Sequence, residues 1–352
     1  MSEPVYRYLG ARAALRRAMV GGVIAAAGLA LVPAVVSPFQ ILLATEMLIQ
    51  CLFALAFNLL FGITGLLSFG QAAYFGVGGY LAALALVHGW TGILGVLLLS
   101  TVGAALAGLV LGYCCVRLNE IYFAMLTLAF GQMLYAGAWQ WAEVTGGSDG
   151  ILGVPRPPLR LLGLTLPLDT GLAFYVLVAT VVLLATLFLW GVATSPFGLM
   201  LRAIREKPER AEFIGIPVHR YRLAAFVLSA ACAGLAGALV VLLGHTATPE
   251  MLFWTKSAEP VMMSLLGGAK VFLGPALGVL VYAWLKEWLS SRLVDYWMLV
   301  MGLIVVGCGL FFRGGLCGAL VVWWSARLAQ RMSYVSTRDP QPDQIVRADG
   351  SS

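Results

Sequence analysis

Apolar residues in this chain neither alternate nor stripe; they run in long unbroken blocks, punctuated by Gly, Pro and clusters of charge. Ten blocks approach membrane length: 18–36, 39–61, 69–88, 91–113, 120–140, 171–192, 223–243, 258–269, 271–288 and 296–312. About 20 apolar residues in a helix cross a hydrocarbon core of ~30 Å. Lipid offers no partner for a free backbone N–H or C=O, so a spanning segment is a helix or part of a closed barrel. Barrel strands alternate apolar and polar positions, which these blocks do not. The pattern therefore predicts an all-α polytopic membrane protein of about ten transmembrane helices. Block 258–269 is too short to cross alone and reads as a half-helix turning at Gly267-Gly268. Block 18–36 carries a positive flank, yet it is too long for a cleaved signal peptide and ends in Pro33 and Pro38 without a small-x-small site. It reads as the first helix. Stretch 314–325, with Trp323 and Trp324, suits an interfacial helix, and the polar tail that follows suits disorder.

Composition agrees: of 352 residues, 61% are hydrophobic and 11% charged, against roughly 45–50% and about 25% in soluble domains. The net charge of +6 sits in short inter-helix loops, not on one basic face, so it speaks for topology and against a nucleic-acid partner. With the N-terminus in the cytoplasm, 17 of the 22 Lys and Arg fall on the inner side, the bias the positive-inside rule describes. Both termini are then cytoplasmic. The chain divides into a basic N-terminus (1–17), a membrane domain (18–325) with a cytoplasmic loop (194–222), and a cytoplasmic tail (326–352). Six Cys lie in or beside apolar blocks without a CxxC pair and read as free thiols. No metal site and no nucleophile–base cluster is evident, so the sequence does not read as an enzyme.

Four stretches carry candidate chemistry. From Asn58 to Tyr80 six glycines (Gly62, Gly65, Gly70, Gly76, Gly78, Gly79) interrupt an apolar run, each costing about 1 kcal/mol in a helix interior relative to Ala. For Gly76, Gly78 and Gly79, close helix packing is the simpler account. For Gly62 to Gly70, where Thr64, Ser68 and Gln71 add polarity, a helix break or a tight cytoplasmic turn fits better. In loop 194–222, Ser195-Pro196 is an N-cap with Pro at the first helical position, and Lys207-Pro208 starts a second short helix that Gly215 ends. Two capped turns of roughly 10 Å make either a solvated charged loop or a rigid peg for a cytoplasmic partner. Loop 141–170 is rich in turn residues, with Thr145, Gly146, Gly147, Ser148, Asp149 and four prolines. Within the membrane, Glu46 lies about 10 Å into its block, as either a pathway group or a side chain reaching the interface. Asn58, Thr127, Gln132 and Tyr135 line a route or bond across helices. No GxxxxGK[ST] loop occurs, so ATP would have to be hydrolysed on another chain.

The run Gly62-Ile-Thr-Gly-Leu-Leu-Ser-Phe-Gly-Gln-Ala-Ala-Tyr-Phe-Gly resembles the signature of the Liv-type permeases of branched-chain amino acid ABC importers, M type. So do Ile121-Tyr-Phe-Ala-Met-Leu-Thr-Leu-Ala-Phe, Val144-Thr-Gly-Gly-Ser-Asp-Gly-Ile-Leu-Gly-Val-Pro, Pro196-Phe-Gly-Leu-Met-Leu-Arg-Ala-Ile-Arg-Glu and Leu265-Leu-Gly-Gly-Ala-Lys-Val-Phe-Leu-Gly-Pro. The resemblance spans about residues 40–315 in the family's order. It implies a permease in the bacterial inner membrane, fed by a periplasmic binding protein, paired with a homologous second permease and driven by two ABC ATPase subunits. No cofactor on this chain is implied. By the same resemblance Arg205, Glu206, Arg210, Glu212 and Gly215 would contact the ATPase. Thr145, Gly146, Gly147 and Asp149 would face the binding protein, and Glu46, Asn58, Thr64, Ser68, Gln71, Thr127 and Gln132 are candidates for the solute path. Gln71 stands where the family usually has His, and Ala269-Lys270 replaces the usual Met-Gly. The solute is left open between branched-chain or other hydrophobic amino acids and urea or amides. A secondary transporter titrating at Glu46 is the alternative of a different class.

Overall fold

The computed structural model describes residues 37–311, apart from 91, 162–163, 167, 169 and 294–295, together with Gly315. The expected first helix 18–36, nearly all of the interfacial stretch 314–325 and both terminal segments lie outside the described residues. Each of the other nine apolar blocks is helical. They form α1 (Pro38–Asn58), α2 (Gln71–Val87), α3 (Ile93–Cys115), α4 (Glu120–Gln140) and α5 (Gly171–Thr194). After the connecting helices α6 (Pro196–Glu206) and α7 (Pro208–Phe213) come α8 (Val218–Gly244), α9 (Trp254–Gly267), α10 (Gly274–Arg292) and α11 (Trp297–Phe311). Among the described residues five helical stretches have both the length and the hydropathy of a membrane span: Pro38–Thr64, α3, α4, α5 and α8. α2 and α11 are apolar but shorter.

The helices differ sharply in where they sit. The most apolar window of Pro38–Thr64 is 78% buried and that of α8 is 67% buried, against 22–33% for α3, α4 and α5. α1, α2 and α8 form the centre, and α3, α4 and α5 clothe it with apolar faces suited to lipid or to a partner helix. α8 packs on α1, α2 and α3, α1 packs on α5, and α9 and α10 form an antiparallel pair against α1. Small residues permit the tightest of these contacts. A Cβ at Gly78 would enter the backbone of Gly234, and one at Gly237 would meet the carbonyl of Phe75. This is the close packing expected of Gly78, and Gly76 likewise lies against Leu252.

Loop 141–170 holds more structure than its turn-rich composition suggested: a one-turn helix (Ala142–Thr145), a 3-10 turn (Gly147–Asp149), strand β1 (Ile151–Leu152) and a hairpin of β2 (Leu159–Leu161) and β3 (Leu164–Leu166). β1 pairs antiparallel with β4 (Thr246–Ala247), Ile151 opposite Ala247. This ladder ties the loop to the segment that follows α8. Below, this side of the bundle is the loop end, and the opposite side, bearing α6 and α7, is the basic end.

Candidate functional site

Two helices begin inside the bundle and not at its surface. α1 runs on through a π-helical segment (Leu59–Thr64) that stops at Gly65, whose φ of +83° places it in the left-handed region. Residues 65–68 have no regular structure, and α2 starts at Gln71. The Gln71 amide donates to the Ser229 hydroxyl at 2.8 Å, and Ser229 donates to the Ala56 carbonyl at 2.6 Å. Ser229 lies eleven residues into α8, about 16 Å along its axis, so α2 begins near mid-depth. From the other side, a 3-10 turn (Pro249–Leu252) re-enters the bundle after β4, with Leu252 on Gly76 and Met251 near Gly79. α9 then starts at Trp254, and its Ser257 hydroxyl accepts from the Ala72 N–H at 2.8 Å. Irregular backbone at membrane depth survives only where protein buries it or where it lines a cavity.

Of the seven candidate path residues, five gather about this break: Asn58, Thr64, Ser68, Gln71 and Thr127 are each 2% exposed or less. The Thr64 and Thr127 hydroxyls donate to their own helices, at Leu59 and Ala124. The Asn58 amide and Ser68 hydroxyl have no hydrogen-bond partner among the described residues. Gln132 is half-buried on α4, and its amide nitrogen is buried with no hydrogen-bond partner among the described residues. Glu46 is exposed at the loop end, beside a small cavity of about 100 Å³ bordered by Gln50, Glu259 and Lys286.

That cavity adjoins a larger one. A space of about 610 Å³ opens between α2, the 249–252 turn and α9 to α11. Its apolar lining includes Phe75, Met251, Trp254 and Met262, and its charged lining is Glu250, Lys256 and Glu259. Lys256 Nζ lies 2.6 Å from a Glu259 carboxylate oxygen and 5.7 Å from the centre of the Phe75 ring. Glu259 and Tyr282 border both spaces. The sequence pattern did not single out this pair: Lys256 fell just before the expected block 258–269 and Glu259 just inside it, so the two were not read as neighbours on one helix, which in the structure starts at Trp254.

At the basic end, Ser195 caps α6, accepting from the Gly198 N–H at 3.4 Å, with Pro196 in the first turn. α7 ends in a Schellman arrangement: Gly215 N–H donates to the Glu212 carbonyl at 2.9 Å and Ile216 N–H to Ala211 at 3.0 Å. Gly215 has φ of +86°, so the cap needs glycine. Ile204, Ala211 and Val218 close a small core between α6, α7 and α8, which makes the arm rigid. Outward it presents Glu206, Arg210 and Glu212, all exposed, with Phe213 at 90% and Ile214 at 76% exposure. These two apolar residues escaped the sequence reading, which weighed only charge there. Arg205 points the other way: its guanidinium donates to the Gly62 carbonyl and its stem covers Gly65. The arm is thereby fastened to the helix break.

At the loop end, Thr145 bonds inward, to the carbonyls of Ala138 at 2.6 Å and Trp141 at 2.7 Å, and Gly147 is buried. Gly146, Ser148 and Asp149 are exposed at the tip. Gly150 lies against Ala247 and Thr248, next to the turn that lines the large cavity.

A multi-pass α-helical membrane protein with two helices that begin inside the bundle, a cavity between them and a rigid arm bound to the turn that precedes one of them belongs to the broad class of transport proteins. A model of the family described as "Branched-chain amino acid transport system / permease component" matches residues 39–308, and the chain belongs to that family. It is 29% identical over 293 residues to the high-affinity branched-chain amino acid transport system permease protein LivM of Escherichia coli K12, covering 78% of this chain and 69% of that one. It is 26% identical over 272 residues to a probable LivM of Methanocaldococcus jannaschii (66% and 76% covered), and 28% over 258 residues to a probable LivH of the same organism (70% and 77%). No solved structure matches.

Proposed function

We propose that this chain is a permease subunit of an ABC importer in a bacterial inner membrane. It would carry branched-chain or other hydrophobic amino acids inward, with the basic end in the cytoplasm. ATP is hydrolysed by two separate ATPase subunits, solute is delivered by a periplasmic binding protein at loop 141–170, and a homologous second permease completes the pathway. Relatives named LivM and LivH among the matches support a paired arrangement.

The observation that carries the reading is the arm. An exposed Phe213 and Ile214 on a rigid, capped helix form an apolar knob flanked by charge, the composition of an interface anchor with a polar rim. Arg205 hands any movement of that arm to the turn at Gly62–Gly65. Nucleotide-driven closure of the ATPases would rock the arm and reset the break, opening one side as the other shuts. The test uses the reconstituted complex. Phe213→Ser, Glu212→Lys and Gly215→Val should each abolish leucine uptake and the stimulation of ATP hydrolysis while leaving membrane insertion unchanged. Normal uptake in these variants overturns the docking assignment. Uptake that survives nucleotide depletion but is lost on collapse of the proton gradient indicates a secondary transporter, and uptake of urea but not leucine corrects the solute.

A further inference from the structure

We infer that the 610 Å³ cavity is a solute subsite that takes the zwitterionic head of an apolar amino acid, its carboxylate at Lys256 and its ammonium at Glu259. The solute side chain lies against Met251, Trp254 and Met262. The inference rests on the importer reading and extends it by naming where in this chain the solute is recognised.

The volume is within the roughly 300–1,000 Å³ of small-molecule sites, and its character, apolar walls with a few convergent polar groups, is theirs as well. Lys256 and Glu259 are 22% and 20% exposed by side chain, so most of their surface is withdrawn from water. A pair in that setting gains little net stability over apolar residues of similar size, because desolvation offsets the attraction. Its presence at membrane depth is better accounted for by use than by folding. The two charges are also matched to one ligand class. A zwitterion can insert between them, each of its charges meeting the opposite partner, so that neither charge of the pair is left uncompensated, while the third charged group of the lining, Glu250, is exposed. A free carboxylic acid or an amine satisfies only one of the two, and urea, having no charge, satisfies neither. Lys256 is two residues into α9, where the positive end of the helix adds to its pull on a carboxylate. Phe75, the ring facing Lys256 Nζ, belongs to the first turns of α2, the other helix that starts at mid-depth.

The cavity is also wired to the outside. Its wall at Thr248, Glu250 and Met251 continues directly from β4, which pairs with β1 of loop 141–170. Displacement of that loop by a docked partner would move the cavity wall. Beyond Glu259 and Tyr282 the smaller cavity holds Gln50, whose buried carbonyl oxygen has no partner among the described residues. It offers the next polar contact along the route.

The deciding variant is the double substitution Lys256→Met/Glu259→Gln, which removes both charges and leaves neither orphaned. In the complex reconstituted in proteoliposomes with its binding protein, maximal leucine uptake should fall at least tenfold, while ATP hydrolysis stimulated by the liganded binding protein persists. A merely structural ion pair predicts the opposite, because a neutral pair of similar volume packs as well. Uptake within twofold of the unaltered complex therefore overturns the subsite. An independent readout uses Thr255→Cys in the otherwise unaltered complex. Millimolar leucine should slow maleimide labelling at this position at least fivefold, and leucinamide or 4-methylpentanoate, each with one charge, should not. Equal slowing by all three, or none by leucine, also overturns the subsite, and this readout decides should the double variant fail to insert. If the unaltered complex takes up no leucine, it is the importer reading for amino acids that fails.

Discussion

Replacing Gly237 by Ala should destabilise the bundle, whereas the same replacement at Gly137 should not. Both glycines lie in helices, α8 and α4, where Ala is intrinsically favoured by about 1 kcal/mol. At Gly137 a methyl group meets nothing within 4 Å, so the propensity gain stands alone. At Gly237 the methyl would collide with the Phe75 carbonyl oxygen, with the carbonyl carbon at 2.7 Å and the Gly79 nitrogen at 3.2 Å, where ordinary contact begins at 3.4 Å. Backbone cannot rotate away as a side-chain tip can. The oxygen is the nearest of these atoms and sets the shift: α2 has to withdraw by more than about 1 Å, a gap that forfeits roughly half of the dispersion energy of each atom pair across the contact. The expected cost is about 1–3 kcal/mol, so the two variants differ by about 2–4 kcal/mol in opposite directions. Intrinsic tryptophan fluorescence of the detergent-purified protein on heating reads this as midpoints on either side of the unaltered one, separated by roughly 4 °C or more. Equal shifts would mean that α2 and α8 do not meet as closely as Gly78, Gly234 and Gly237 indicate.

Two further changes probe the ends of the molecule. Arg205→Met keeps the stem over Gly65 but loses the charged bond to the Gly62 carbonyl, a contact worth about 1.5–3 kcal/mol. The assembled complex should still hydrolyse ATP while leucine carried per ATP falls several-fold, and an unchanged ratio would show that the arm is not coupled through this bond. At the loop end, the Arg156 guanidinium donates to the Leu242 carbonyl at 2.5 and 3.0 Å and to Leu243 at 3.2 Å, and lies 4.0 Å from the centre of the Phe174 ring. It satisfies carbonyls at the C-terminal turn of α8 that have no helical partner. Arg156→Met should cost about 2–3 kcal/mol and expose loop 141–170 to proteolysis. Arg156→Lys should not restore protection, because a single ammonium lacks the fork and the flat face.

Local signals survived into the structure where local chemistry decides. Ser195-Pro196, Lys207-Pro208 and Gly215 mark the ends of α6 and α7 as expected, since capping depends on a few neighbouring atoms. Block 120–140 coincides with α4. Other boundaries moved for an identifiable reason. α8 begins at Val218, five residues before its apolar block, because His219, Arg220 and Arg222 disguise its first turns, and Arg222 is 8% exposed there. α9 begins four residues early because Thr255, Lys256 and Ser257 lower the hydropathy of the first turn of a helix that starts inside the bundle. Lys256 then proved central to the cavity, with Glu259.

The chain's own pattern determined that it is a membrane protein of stacked apolar helices, that regular helix is interrupted at Gly62–Gly70 by a break or a turn, and that a short capped arm follows the fifth block after Pro38. Those properties follow from hydropathy and from backbone rules acting over a few residues. Only the tertiary structure decided that α1, α2 and α8 are central, because helices apolar on every side carry no stripe to say which face turns inward. It alone brought Gln71 to Ser229, Arg205 to Gly62 and Lys256 to Phe75, contacts between residues more than a hundred positions apart. Their partners are chosen by how whole helices pack, which no short window of sequence encodes.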